Sequence, residues 1–216
     1  MMSPLTRPFR RAVAGLACAA LMTSATACTG SDDPEPAASG APSASTGAAA
    51  TLDAKPVPLD IRVAQVPGGR MKKSSAKVLE HQIGRTVSEY FDGAFFEGDY
   101  PRSDFSDAFT AFSSGAARRA RADRELLTNA SLGDTIETVV PKRKWVRLSV
   151  LLPKRTVAGV TARVRLVFVV ERGDEGVDQK VSVTGRLVLS RAKSGKWEIF
   201  GYDLARSAVP AEKGGM

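Results

Sequence analysis

One histidine, a few tyrosines and the carboxylates are the residues of this chain that could carry proton-transfer chemistry. His81 lies at the flank of an apolar helical stripe, so we expect a surface or half-buried structural role, with a general base as the alternative. Tyr90 and Tyr202 could line a cavity mouth, but Tyr202 shares a face with Phe200 and Leu204 and is also expected in a core. Asp203 projects to the opposite side of its strand, toward solvent. The sequence therefore predicts no catalytic residue.

Metal, cofactor and phosphate sites have little support in the sequence. Metal sites need clusters of Cys, His or carboxylate side chains. The chain has a single His, and Asp174, Glu175 and Asp178 lack the spacing of a calcium loop. It also lacks the glycine motif that cradles phosphate and the Gly-x-Ser-x-Gly turn that presents a nucleophile. We therefore expect neither a metal nor a cofactor.

The start of the chain has the pattern of an export signal. Arg7, Arg10 and Arg11 precede an apolar run over residues 12–22, followed by small residues. A bilayer-spanning helix needs about 20 apolar residues, so this run is too short to cross a membrane. Adjacent Arg10 and Arg11 leave open the twin-arginine export route, beside the general one.

The four residues Ala25-Thr26-Ala27-Cys28 resemble the bacterial lipobox, in which small side chains precede the cut and the thiol takes a diacylglycerol. Ala25 replaces the usual leucine. We predict cleavage before Cys28 and lipidation there, which leaves no free thiol in the mature protein. Cys18 is a weaker candidate because the apolar run before it would be only about six residues long. Secretion after Ala27 without a lipid is the other alternative.

Cationic residues gather in two stretches of a chain whose net charge is +8. Either stretch could form a basic patch for anionic lipids or teichoic-type polymers, with an ordinary solvated face as the alternative. Nucleic acid is not expected as a partner of an exported protein. The stretches are Arg118, Arg119, Arg121 and Arg124, and Lys142, Arg143, Lys144 and Arg147.

Composition divides the chain into four parts. Residues 1–27 form the signal peptide, and residues 28–57 form a flexible tether rich in Ala, Ser, Pro and Gly. A single domain is expected over residues 58–210, because about 150 residues are enough for one core. The last six residues, 211–216, are expected to be a disordered tail.

The spacing of apolar residues along the chain, which is helical at first and later alternating, predicts an α+β domain. Residues 59–66 alternate as a strand, and an apolar residue at every fourth position predicts a helix from Ser74 or Ser75 to about Phe96. Shorter helices are expected at 105–112 and 116–127. From residue 135 the period becomes two, which predicts an antiparallel meander against which the helices pack. Its strands are 135–140 (ended by Pro141), 145–152, 160–170, 181–190 and 196–204.

Helices followed by a long antiparallel sheet ending in Lys196-Trp197-Glu198-Ile199-Phe200-Gly201-Tyr202 resemble the nuclear-transport-factor-two-like, or cystatin-like, fold. The resemblance covers residues 74–206, and the early strand is not part of it. The chain is also similar to lipoproteins of unknown function from high-GC Gram-positive bacteria that carry such a domain behind a lipobox. The resemblance implies a curved sheet wrapped around the long helix to enclose a conical cavity.

In that fold, some members bind ligands or partners and others are enzymes, so the fold alone does not decide the activity. We predict a membrane-anchored extracytoplasmic domain that is not an enzyme and binds an apolar small molecule or an envelope protein. A small isomerase- or dehydratase-like enzyme with an acidic residue in the cavity is the alternative. The residues expected around the cavity, or else in an ordinary core, are Phe91, Phe95, Phe109, Phe112, Phe168 and Tyr202.

A homodimer through the outer face of the sheet is a further hypothesis. That face is where the sequence places apolar residues that alternate with the predicted core positions of the strands. They are Trp145, Leu151, Val167, Val169 and Val188.

Overall fold

A computed structural model describes residues 56–173 and 176–211. The predicted signal peptide, Cys18, Cys28, all but the last two residues of the tether, and residues 212–216 lie outside the described residues, as do Asp174 and Glu175. Within the described part, the chain forms one five-stranded sheet with helices packed against it, which confirms the α+β class.

Twelve elements follow one another along the described chain. They are β1 (Leu59–Gln65), α1 (Lys73–Phe91), a π-helical turn (Asp92–Phe96), a 3-10 turn (Ser106–Phe109), α2 (Ser114–Ala122), α3 (Arg124–Leu127), a 3-10 turn (Gly133–Thr135), β2 (Thr138–Leu151), a 3-10 turn (Pro153–Arg155), β3 (Gly159–Glu171), β4 (Gln179–Arg191) and β5 (Trp197–Pro210).

The sheet is mixed, whereas the sequence predicted an antiparallel one. Its strands lie in the order β1-β2-β3-β4-β5, and β2 to β5 form the predicted antiparallel meander. β1 pairs in parallel with β2, with Leu59 opposite Lys144 and Val63 opposite Leu148. The parallel pairing is possible because a long helical connection returns the chain to the same end of the sheet.

Pro141 does not end a strand, as the sequence suggested, but lies inside the long strand β2. The register with β3 shifts between Pro141 and Arg143, which marks a β-bulge. A bulge accommodates a proline because the local ladder is already interrupted there. As a result Lys142 and Arg143, two consecutive residues, are both exposed.

The predicted helices are present with altered ends. Neither Ser74 nor Ser75 caps α1, because the cap position is Lys72 and makes no side-chain capping bond. The π-helical turn carries the helical path to Phe96, the predicted end. The helix predicted over 105–112 is only a short 3-10 turn, before which Asp104 accepts a 2.8 Å hydrogen bond from the Ser106 amide. The one predicted over 116–127 is divided at Asp123 into α2 and α3.

A single apolar core lies between the helices and one face of the sheet. α1 contributes Leu79, Ile83, Val87 and Phe91, which follow the predicted four-residue stripe and are buried. The sheet contributes the buried residues of its inner face, among them Leu166, Phe168, Leu187 and Ile199. Burying one such side chain contributes about 1.5–3 kcal/mol, so this core, rather than surface ion pairs, stabilises the fold.

Candidate functional site

The outer face of the sheet, opposite the core, carries a concentration of cationic side chains. In β3, Val164 and Leu166 are buried while Arg163 and Arg165 are exposed, so successive residues define an inner and an outer face. Cations from all of the first four strands stand on the outer side. We call this set the cationic face: Arg62, Lys142, Arg143, Arg147, Arg163, Arg165, Lys180 and Arg186.

Four of these arginines lie directly opposite one another on adjacent strands. Arg62 pairs with Arg147, Arg147 with Arg163, and Arg163 with Arg186. We call them the arginine row. Neighbouring strands are about 4.8 Å apart, so the row crosses the sheet over about 14 Å. Like charges placed directly opposite each other on a sheet are destabilising, so the row is not explained by the stability of the fold.

Within the described residues, two carboxylates pair with three of the four arginines of the row. At one end, Asp60 accepts hydrogen bonds from Arg147 at 2.8 Å and from Arg62 at 3.3 Å. The bond from Arg147 is the largest cause of the lowered pKa of Asp60. At the other end, Asp203 lies opposite Arg186 and accepts a 2.6 Å bond from its guanidinium. Within the described residues, Arg163 in the middle forms no salt bridge.

Trp145 lies in the centre of the cationic face. It is half-buried, it is the register partner of Arg165, and the Arg147 guanidinium lies 4.6 Å from the centroid of its ring. Arginine is weakly hydrated and stacks on aromatic rings. The Arg147 guanidinium also donates to the Asp60 carboxylate and to the Asp60 and Val146 carbonyls, so Trp145 and these acceptors together hold this side chain against the sheet.

Two shallow grooves flank the arginine row. One, of about 390 Å³, is lined by Trp145, Arg163, Arg165, Thr184 and Arg186 among others. The second, of about 370 Å³, shares Trp145, Arg163 and Arg186 and adds Arg147 and polar residues of β1 to β3. A ligand in either groove would contact several guanidinium groups at once.

The aromatic residues predicted to line a cavity contact one another in the core. Phe91, Phe95, Phe109, Phe112 and Phe168 are each at most 5% exposed, and Tyr202 is half-buried. The ring centroids of Phe95 and Phe168 are 5.4 Å apart, and those of Phe112 and Tyr202 are 6.0 Å apart. None of the six lines the two grooves beside the arginine row or the three surface grooves of about 430, 600 and 690 Å³. The contacts are those of packed side chains.

The candidate proton-transfer residues do not form a group. His81 is exposed on α1, and Tyr90 is fully buried, where its hydroxyl donates a 2.9 Å bond to the Leu127 carbonyl and burial raises its pKa. Asp203 is the acceptor of the hydrogen bond from Arg186, at the end of the arginine row. Tyr202 donates a 2.7 Å bond to Asp123, and burial, followed by this bond, raises the pKa of Tyr202 to about 12.

Tyr202 is therefore a hydrogen-bond donor at neutral pH, and Asp123, its acceptor, is exposed. Over residues 56–173 and 176–211, the buried polar side chains are Thr86, Thr128 and Asn129, without a carboxylate. Phe200 was expected to share the inner face with Tyr202. Instead it lies at a bulge between β4 and β5 and is 43% exposed.

The two cationic stretches seen in the sequence do not adjoin. The stretch on α2 and α3 packs beside β5, whereas the other is on β2, with β3 and β4 between them. Arg118, Arg121 and Arg124 are exposed, and Arg119 donates to the Phe200 carbonyl at 3.3 Å. Lys144 points inward to a 3.0 Å ion pair with Asp92. The site thus assembles from β1 to β4, and sequence reasoning missed Arg62, Arg163, Arg165, Lys180 and Arg186 as site residues.

A groove of about 600 Å³ lies apart from this face, between α1 and the turn that joins β4 to β5. His81 lines it together with Lys77, Arg85 and Lys196. The Trp197 indole N–H donates to Gln82 at 3.2 Å there. The polar groups of this groove thus already bond within the protein or face solvent.

In the part of the chain that the structure describes, no three His, Cys, Asp or Glu side chains gather as a metal site would require. The helices of the same part are all too short or too polar to span a bilayer.

Comparison with family models, with curated proteins and with solved structures gives no match.

Proposed function

We propose that this protein is a lipid-anchored extracytoplasmic binding module whose arginine row holds a linear polyanion of the cell envelope, one that carries phosphodiester groups. The observation that supports this most is the direct opposition of four arginines on adjacent strands. The domain has no enzymatic role in this proposal.

The energetics favour a ligand at the row. Directly opposed like charges destabilise a sheet, and a bound anion would relieve that repulsion. Guanidinium groups bind phosphate through two parallel N–H donors, and such charge-assisted bonds are roughly twice as strong as neutral ones. Arg163 needs such an acceptor most, because Arg147 and Arg186 flank it and it lacks a salt bridge among the described residues.

The shape of the site favours a polymer over a bilayer surface. The guanidinium groups line grooves on both sides of the row, which an extended chain can enter and a planar layer of headgroups cannot. Trp145 is half-buried between arginines, whereas a bilayer-docking surface exposes its aromatic and apolar side chains. We therefore assign the row to a chain that crosses the strands.

A second copy of the protein is a poor occupant of this face. In a twofold dimer the same patch lies on both subunits, so an arginine row would face an arginine row. The apolar residues predicted for that interface, such as Trp145 and Val167, are half-buried among these cations. The homodimer stays a prediction, and the charge of the face makes it less favourable than polyanion binding.

The proposed extracytoplasmic localisation rests on the sequence: a signal peptide over residues 1–27, lipidation of Cys28 and a tether over residues 28–57. One structural detail relates the tether to the cationic face. Val57 and Pro58, where the tether would enter β1, line a groove of about 430 Å³ together with Lys142, Arg143 and Trp145. The tether would thus join the domain beside the cationic face.

Two alternatives stand beside this proposal. In the first, the domain has the cone-shaped, cystatin-like architecture, which the order of helices and strands supports, and it binds an apolar ligand inside the cone. The alternative enzyme would need an acidic residue in such a cavity. Its best candidate pair is Tyr202 with Asp123, in which the carboxylate is exposed and the tyrosine keeps its proton.

A direct test is fluorescence anisotropy with labelled poly(glycerol phosphate), measured against the Arg163→Gln variant and the control Arg118→Gln, which removes an exposed cation on α2. We expect Arg163→Gln to weaken binding and to reduce the slope of log affinity against log salt by about 1, with Arg118→Gln close to the parent. Vesicles of an anionic phospholipid form the second arm. Equal losses in the two variants, or tighter binding to vesicles, would overturn the proposal.

A further inference from the structure

A groove of about 690 Å³ lies on the outer face over the ends of β2 to β5, away from the arginine row. Its floor is apolar, formed by Val167 and Val169, which are half-buried, and by Val209, which is 54% exposed. Pro210 and Ala211 complete the apolar wall. We call it the valine groove.

Four cations surround this apolar floor, and among residues 56–173 and 176–211 no carboxylate lines the groove. Lys180 lies between two of the valines across the strands, opposite Val169 on β3 and opposite Val209 on β5. Arg143 lies opposite Val167. The remaining two are Lys142 and Arg165. Lysine and arginine stems can cover apolar surface while their charged ends stay in water, so the floor and the rim form one amphipathic site.

The bulge of β2 builds one side of the rim. Pro141 pairs with Phe168 and Arg143 pairs with Val167, so Lys142 is the extra residue without a partner on β3. In a regular strand, consecutive side chains point to opposite faces. Here both Lys142 and Arg143 are exposed and line the same groove. Bulges recur where a side chain is redirected toward a site.

We infer that the valine groove binds a single anionic amphiphile, an alkyl phosphate whose head lies among Lys142, Arg143 and Lys180 and whose alkyl chain covers Val167, Val169 and Val209. Apolar contact alone would attract any hydrocarbon, and the cations alone any phosphate. Their combination selects a molecule that has both. This ligand differs from the polymer proposed for the arginine row, and the lysines of the groove take no part in that row.

The test is isothermal titration of the purified protein with three probes. They are dodecyl phosphate below its critical micelle concentration, glycerol 1-phosphate, which has the head without the chain, and dodecyl maltoside, which has the chain without the charge. Dodecyl phosphate is expected to bind about tenfold or more tightly than either of the others, because only it gains both contributions. Comparable affinity for dodecyl phosphate and either comparison probe would overturn the inference.

Variants locate the site. Lys180→Gln and Val169→Thr change the rim and the floor at side chains on the solvent side of the sheet, and each is expected to weaken dodecyl phosphate binding about threefold or more. Arg186→Gln, in the arginine row, is the matched control and should stay within about twofold of the parent. Loss of binding in Arg186→Gln with none in Lys180→Gln would place the amphiphile on the row. That result would contradict this inference without contradicting the polyanion proposal. Thermal unfolding of each variant checks that it is folded.

Discussion

Arg163 is the residue at which a structural role and a binding role make opposite predictions. Arginines stand opposite it on both neighbouring strands, and within the described residues it forms no ion pair. Arg163→Thr replaces it with a residue of high strand propensity and removes two like-charge oppositions. We expect the free energy of unfolding to rise by about 0.5–1 kcal/mol in urea titrations, while polyanion affinity falls. A drop in stability would instead assign Arg163 to the fold.

Tyr202 gives the fold a dependence on alkaline pH. Burial and its bond to Asp123 raise its pKa to about 12, against 10.0 for an unperturbed tyrosine. The folded state therefore favours the protonated hydroxyl. Its stabilisation is fully present below pH 10 and is lost as the pH rises through about 12, because the unfolded chain releases the proton first.

Tyr202→Phe should therefore lower stability at neutral pH by the loss of one partly exposed hydrogen bond and flatten the decline between pH 10 and 12. Urea unfolding at several pH values measures both effects. Tyr90, whose pKa is also raised, contributes its own decline, so the parent and the variant must be compared directly. An unchanged pH profile in the variant would show that Tyr202 titrates normally.

Single residues were predicted well where the helix or strand period alone decides burial. The stripe of α1 and the inward residues of β3 follow the sequence pattern, because each period fixes a face. Lys142 and Phe200 were not predictable in this way. Each lies at a bulge, and a bulge shifts the alternation by one residue without a mark in the sequence.

At the scale of elements, Gly185 holds the β4–β5 pair in close contact. Its φ is +141°, and a Cβ atom there would lie 2.1 Å from the Asp203 carbonyl oxygen. Gly185→Ala is expected to destabilise the protein by about 1–3 kcal/mol, since the strands must separate or strain. Gly115→Ala in α2, where a Cβ would meet nothing within 4 Å, is the control and should be neutral or slightly stabilising. Equal urea midpoints for the two variants would contradict the close approach.

The arginine row shows why the candidate site was harder to predict than the elements that carry it. The strands could be predicted from the local alternation of apolar and polar residues. The same alternation predicts which arginines of a single strand face outward. Which arginine stands opposite which depends on register, and register depends on turns and bulges far apart in the sequence. The parallel pairing of β1, which adds Arg62 to the row, is a contact between segments about 85 residues apart.

At the scale of the whole molecule, the two faces of the sheet differ in chemistry. The inner face is apolar and carries the helices, while the outer face carries cations in excess over carboxylates. Such a face raises the local concentration of polyanions, and the attraction weakens as salt screens it.

Polymer length provides a prediction at this scale. The row spans about 14 Å, so affinity should rise with the length of a poly(glycerol phosphate) fragment until the fragment reaches that span. For longer fragments, affinity should rise only slightly, because a longer polymer can occupy the row in more alternative positions. A length series measured by anisotropy tests this. Affinity that is independent of length would indicate a single phosphate site instead of a row.

The most direct test of the central claim is an NMR titration that follows the arginine side-chain Nε–Hε signals as poly(glycerol phosphate) is added. We expect the largest shifts in the arginine row, at Arg62, Arg147, Arg163 and Arg186. Small shifts are expected at Arg118, Arg121 and Arg124 on α2 and α3. Shifts concentrated on the helical arginines, or spread evenly over both groups, would contradict a binding site on the outer face of the sheet.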